Sequence, residues 1–164
     1  MTDSAPVRYI DGITQRYTRL GYAPYRWYYA DDQPRLARLN KPLAKARIGA
    51  LTTSGAYALG QVAYHYKDDT SVRAVPYSTP DSEMRFAHIT QNYLVNAKRD
   101  PNCIAPLGAL RTLEQESVIG ELADDMLSCM GGIYSQRRVR EELIPELHRR
   151  FAEQKVDAVL LVPM

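Results

Sequence analysis

Cysteine is scarce in this 164-residue chain, with Cys103 and Cys129 the two it has. They stand too far apart for the C-x-x-C spacing of a redox or zinc pair. A chain of this length buries roughly 70% of the surface its unfolded form exposes, so it needs no disulfide or metal framework, and two thiols suit a reducing compartment. Long apolar runs are missing too: the longest, Ala158 to Met164, is far short of the about 20 residues that span a bilayer. The N-terminal MTDSAPVRYIDG lacks the apolar core of a secretory signal, so the expectation is a soluble cytoplasmic protein. Neither charge sign dominates. The net charge is +2, divided as +4 over residues 1–82 and −2 over 83–164, too mild for a nucleic-acid partner. G-x-G-x-x-G and phosphate-loop patterns are absent, which argues against dinucleotide and nucleoside-triphosphate sites, and there is no internal repeat.

Tyrosine is plentiful. Six of the 12 fall in the first 30 residues, interleaved with Arg8, Arg16, Arg19 and Arg26. Base stacking on a single strand would use such a mixture, but an amphipathic arm whose rings pack on the domain or on a partner subunit is the simpler reading. Val7, Ile10, Ile13, Tyr17 and Leu20 recur at helical spacing, and DDQPRLARLNKP reads as a linker, so residues 1–46 are expected to be an arm and linker before an α/β domain over 47–164.

Within that domain, RIGALTTSG (47–55) predicts a strand ending in small hydroxyl residues and a glycine. Such an end either brings backbone N–H groups close to a ligand or is an ordinary turn. SVRAVP (71–76) predicts a second strand, YHYKDDT before it an exposed loop, and EMRFAHITQNY (83–93) is ambiguous between strand and helix. A turn at Asp100-Pro101-Asn102 leads into a helix from about Pro106, with Leu107, Leu110, Leu113 and Val118 as its buried side. ELADDMLSCMGGIY is expected to cross the sheet and end in a loop at Gly131-Gly132. Ser135 caps a last helix striped by Val139, Leu143, Leu147 and Phe151, where Pro145 predicts a kink or a break. That helix delivers the chain to DAVLLVP, read as a central strand buried on both faces. Strands and helices in this order predict a mostly parallel sheet flanked by helices in a Rossmann-like three-layer arrangement, incomplete at its C-terminus.

No complete catalytic set stands out among these residues. His148, beside Arg149 and Arg150, belongs to a solvated helix face, and His65 to a tyrosine-rich loop. His88 sits in RFAHIT with Gln91 and Asn92 close behind, in a setting that serves either a partly buried, hydrogen-bonded histidine or a functional one. Asp124 and Asp125 are adjacent and diverge, which makes a poor acid/base pair. Cys129 reads as a buried thiol more readily than as a nucleophile, because no base is identifiable near it.

RIGALTTSG, MRFAHIT, DPNCIAPLGALRTLEQESVIGELADDMLSCMGGIY and VDAVLLVP, taken in order over about residues 40–164, resemble the selenoprotein B component of glycine, sarcosine and betaine reductases and the related D-proline reductase subunit. In that family a strand like DAVLLVP leads into a segment bearing a selenocysteine, or a cysteine in its place. The resemblance thus implies a nucleophile just after residue 164 and a chain cut at a codon otherwise read as stop. It implies an oxidoreductase subunit for reductive cleavage of a C–N bond in an amino acid or N-methylated glycine derivative. The selenolate or thiolate attacks the α-carbon, the amine leaves, and a thiol system regenerates the nucleophile. Other reductase subunits, a thiol-reducing protein, a pyruvoyl group on a partner and an oligomeric assembly are further implications; no cofactor is expected in this chain, which alone would be inactive.

By position, the loops that would surround such a nucleophile are 52–55, 88–93, 100–102 and 130–132. Thr52, Thr53, Ser54, Gly55, Asn92, Asp100, Asn102 and Gly131 are the expected substrate-binding positions, with backbone N–H groups near Ser54 and Gly55 holding a carboxylate and His88 as orienter or proton donor. The alternative expectation is a complete, non-catalytic α/β module that binds a partner subunit or a small carboxylate.

Overall fold

The computed structural model describes residues 8–24, 29–34, 37–89 and 91–164. Val7, Tyr25, Arg26 and Tyr28 of the expected arm, and Arg35 and Leu36 of the expected linker, lie outside the described residues. The chain divides into two compact units, residues 1–37 and 38–164. In the first, α1 (Tyr9–Arg19) buries none of its residues, although Ile10, Ile13 and Tyr17 recur along it; Tyr17 meets Tyr22 edge to face at 5.9 Å.

The second unit is built on β1 (Arg47–Thr52), which has a strand on each edge, with Ile48 and Ala50 buried and Leu51 half-buried. One edge of β1 pairs in parallel with β7 (Ala158–Val162), from Ile48↔Ala158 to Thr52↔Val162. The opposite edge takes, in succession, β5 (Glu121–Leu122) and β6 (Asp125–Ser128), both parallel. The antiparallel strand β3 (Arg73–Pro76) closes that side against β6. A separate two-stranded antiparallel sheet pairs β2 (Ala56–Ala58) with β4 (Met84–Phe86), which settles the ambiguous 83–93 stretch as a short strand, a loop and a 3-10 turn.

Side chains alternate across the sheet and meet a different layer on each face. On one face Ile48, Ala50, Val75, Leu122 and Met126 pack with Leu107 and Leu110 of α3 (Leu107–Gln115). On the other, Leu51, Leu127 and Cys129 pack with Leu143, Leu147 and Phe151 of the last helical segment. The result is the three-layer α/β fold, with a mixed, mostly parallel sheet. Val118, expected on the buried side of α3, is instead exposed; the helix ends at Gln115, and the turn beyond it buries Ile119.

At Pro145 the α-helical pattern is broken into two segments, as one of the two expected outcomes had it. The segment runs as α4 (Gln136–Arg138), a π-helical stretch over Val139–Leu143, and α5 (Ile144–Glu153), so the change of helical pitch falls immediately before the proline, in the first turn of α5. Ser135 caps α4, its Oγ accepting from Arg138 N at 3.3 Å. The loop before β3 is less exposed than its polarity suggests. Tyr64 is buried and donates its hydroxyl to Ser128 O at 2.6 Å, and the Asp68 carboxylate accepts from the N–H groups of Tyr134 and Ser135.

The expected burial of the final strand on both faces is not found. Among the described residues β7 has a strand on one edge only, and Leu160 and Leu161 are 43% and 65% exposed. An edge position is the physical reason: only β1 shields the strand.

Candidate functional site

Parallel strands β1, β6 and β7 point their carboxyl ends the same way, so the segments that follow them meet at one edge of the sheet. Thr52 and Ser54, fully buried, form the floor. Thr52 has a single hydroxyl proton, and Ile104 O lies 2.6 Å from its oxygen, so the 2.8 Å contact with Ser54 Oγ is best satisfied with Ser54 as donor. The same carbonyl ties the 100–104 segment to the end of β1.

Gly55 has a positive φ of 66°, and a Cβ there would stand 2.2 Å from Ala87 O. Only glycine allows this approach, which lets Ala87 N donate to Gly55 O at 3.0 Å and so delivers the following residue, His88, to the strand ends. The Gly55 N–H donates to Cys129 O at 3.0 Å and the Ser54 N–H to Thr52 Oγ1 at 3.2 Å. Both amides considered for a carboxylate are therefore engaged inside the fold.

Around Gly131 the remaining elements converge. A Cβ added to it would meet Thr53 O at 2.8 Å, Met164 O at 3.0 Å and the His88 ring at Nε2 at 3.2 Å. Thr53 in turn holds the chain leaving β7: its N–H donates to Val162 O at 3.2 Å, and its Oγ1 accepts from Met164 N at 2.9 Å. His88 is buried, and burial lowers its pKa below the ordinary imidazole value, which favours the neutral ring. Thr52, Thr53, Ser54, Gly55, His88 and Gly131 are thus brought together.

Asp100 and Asn102 do other work. Asn102 Oδ1 accepts from Gly108 N at 2.8 Å and Ala109 N at 3.2 Å, capping the start of α3, while its Nδ2 donates to Asp81 at 2.7 Å. Asp100 accepts from Asn102 N at 3.0 Å, the local turn geometry that short acidic side chains favour. Asn92 is exposed on the 3-10 turn after His88.

Cys129 is buried, and burial pushes its thiol up to about 11, which suppresses the thiolate. Next to it Ser128, also buried, has a hydroxyl with no hydrogen-bond partner among the described residues; its neighbours in sequence, Leu127 and Cys129, gave no signal of a polar floor. The approach of residues 163 and 164 to Thr53 was equally hidden, because it depends on the parallel pairing of β1 with β7. Among the described residues, no three His, Cys, Asp or Glu side chains are grouped to hold a metal ion, and no helix is long and apolar enough to cross a membrane.

Residues 78–163 match the family model described as glycine/sarcosine/betaine reductase selenoprotein B. The chain is also 32% identical over 124 residues to D-proline reductase subunit gamma of Acetoanaerobium sticklandii, a match covering 75% of this chain and 50% of that protein. The chain therefore spans about half the length of the curated relative it matches. No solved structure matches it.

Proposed function

Because the chain belongs to the glycine/sarcosine/betaine reductase selenoprotein B family, we propose that it forms part of a reductase subunit that cleaves a C–N bond in an amino acid or N-methylated glycine derivative. The observation that carries this reading is the convergence of Thr53, His88 and Gly131 with residues 163 and 164 at the carboxyl end of β1 and β7. Open α/β sheets place their chemistry at this edge.

In the proposed site a selenolate or thiolate, carried by polypeptide beyond β7, supplies the nucleophile that the chain's own thiols do not. Thr53 fixes the course of the chain toward that position through its bond to Met164 N. Gly131, lacking a side chain, lets Thr53 O, Met164 O and the His88 ring close on one point that a Cβ would fill. A neutral imidazole offers one N–H and one lone pair, so His88 would orient the substrate amine or pass it a proton without adding a fixed charge. With the amides of Ser54 and Gly55 engaged, Asn92 is the proposed partner of the substrate carboxylate. Other reductase subunits and a thiol-reducing protein are the proposed partners, in an oligomeric cytoplasmic assembly. The exposed leucines of β7 support further polypeptide lying against that edge, since uncovered apolar edges invite uncontrolled strand pairing.

The test has two parts. Sequencing the coding region after codon 164 should show a UGA or cysteine codon within a continuing frame. The subunit read from that frame, supplied with its partner subunits and a dithiol, should cleave one of glycine, sarcosine, betaine or D-proline. A continuing frame with no selenocysteine or cysteine near β7, or no turnover of any of the four, overturns the proposal.

A further inference from the structure

We propose that α1 is a docking helix that lies in a groove of a different protein, one with an apolar floor and a single acidic rim. The helix gathers its apolar residues on one side and leaves them in water. At 3.6 residues per turn, Tyr9, Leu20, Ile13, Tyr17 and Ile10 fall in that order across an arc about 100° wide, and each is between 43% and 64% exposed. Tyrosine rings suit such a face, being apolar in body and polar at the tip.

The C-terminal end of the helix is built locally. Gly21 turns the chain out of it at a φ of 84°, its N–H donating to Thr18 O at 3.0 Å and the N–H of Tyr22 to Tyr17 O at 3.1 Å, while the Tyr22 ring packs edge to face on Tyr17. This is a glycine stop with its accompanying apolar contact. A helix of 11 residues is marginal by itself, and the stop lowers the ordering cost of docking.

Charge decides which kind of surface fits. Arg16 borders the apolar arc on its Tyr9 side, with Arg19 and Arg8 beyond it; Thr14 and Thr18 border the Ile10 side, and Thr18 Oγ1 donates to Thr14 O at 2.8 Å. Arg8 pairs with Asp11 at 2.8 Å, whereas Arg16 and Arg19 form no ion pair with a described residue. Gly12 leaves the flank between those two arginines unfilled, and a hollow lined by Gly12, Gln15, Arg16, Arg19 and Leu20 lies there, open to carboxylates that a guanidinium pairs with well. A lipid surface carries its charge on both sides of an embedded helix and favours cations on both flanks; α1 has them on one. A second copy of α1 offers no match either, because its single acid, Asp11, lies away from the arc and is held by Arg8. One cationic flank beside an apolar arc thus selects a protein groove with acid along one rim. No residue of the strand-end site takes part, so the inference stands independently of the reaction proposed above.

Photocrosslinking in the cells that make the protein tests the proposal, with Tyr9→p-benzoylphenylalanine and, separately, Tyr17→p-benzoylphenylalanine in the full chain. Mass spectrometry of the joined peptides identifies the occupant. Both positions are expected to join the same region of a different protein, one that carries apolar residues together with Asp or Glu. Arg16→Glu/Arg19→Glu should lower the yield by about tenfold or more, and Arg16→Lys/Arg19→Lys by less than about threefold. Thr18→Lys on the neutral flank and Arg99→Glu on α2 (Val95–Arg99) should leave it unchanged. The sequence of the joined region tests the charge argument without any arginine variant. Crosslinks to residues 38–164 of the same chain, to a second copy or to a region without acidic residues, no crosslink at all, or a yield indifferent to charge reversal overturns it. So does cosedimentation of the chain with phosphatidylglycerol vesicles that Arg16→Glu/Arg19→Glu abolishes, which reassigns α1 to a lipid surface.

Discussion

Thr53 Oγ1 accepts a hydrogen bond from the amide of Met164 at 2.9 Å, joining residues 111 positions apart in sequence. It is the side-chain tie between the end of β1 and the chain leaving β7. Thr53→Val keeps the shape and removes the acceptor, so it should cost about 1 kcal/mol in urea denaturation, with Thr53→Ser largely retaining the native value. Equal stability of the threonine and valine forms would show that the tie contributes nothing.

His88 should make stability depend on pH. Its folded pKa lies below the ordinary 6.5 because burial disfavours the charged ring. As pH falls through about 6.5 the unfolded chain takes up a proton that the folded chain refuses, so the His88 contribution is fully present above that pH and lost as pH falls to the folded pKa. Denaturation at pH 7.5, 6.5 and 5.5 should therefore show a steeper acid loss in the parent than in His88→Gln; parallel curves would contradict the assignment.

The two thiols should separate cleanly. Cys103 is exposed and Cys129 buried, with its thiol pushed up to about 11. At pH 8 the shortage of thiolate alone slows alkylation of Cys129 by about a hundredfold relative to an ordinary thiol. Mass spectrometry after iodoacetamide treatment should find one modification on the native chain and two after denaturation.

Leu161, 65% exposed on β7, is expected to tolerate Lys with less than about 0.5 kcal/mol lost. The same change should reduce self-association of the 164-residue chain in sedimentation velocity, since a charge on an edge strand opposes edge pairing. Unchanged association would mean that this edge is not the sticky one.

Elements with one strong local signal were legible in the sequence. β1 announced itself by its apolar run and hydroxyl end, α3 by Pro106 and its leucines, and α4 by Ser135. The β2–β4 pair was not, because three-residue strands carry too few alternations to register and Gly55, which lets Ala87 come close, gives no clue to its partner. At the site, the hydroxyl cluster and His88 were visible as residue types, but their meeting at Gly131 follows from the register of β1 with β7. Asn102 and Asp100 were singled out for binding; in the fold Asn102 accepts from a backbone amide at the start of α3 and Asp100 from the amide of Asn102 in the turn before it.

Between β5 and β6 the chain passes β1 with two more residues than β1 itself uses: Ile48 faces Leu122, and Leu51 faces Leu127. Two is the smallest insertion that leaves every later side chain on its own face of the pleat, since the repeat of a strand is two residues. Met126 still looks toward α3 and Leu127 toward α5. A length change of one residue at Ala123-Asp124 would turn the following strand over, exchanging its inward leucine and methionine and rotating the Cys129–Gly131 segment away from His88. Homologous chains can thus vary here in steps of two, and a deletion of a single codon at this point is far more damaging than its position in a turn suggests.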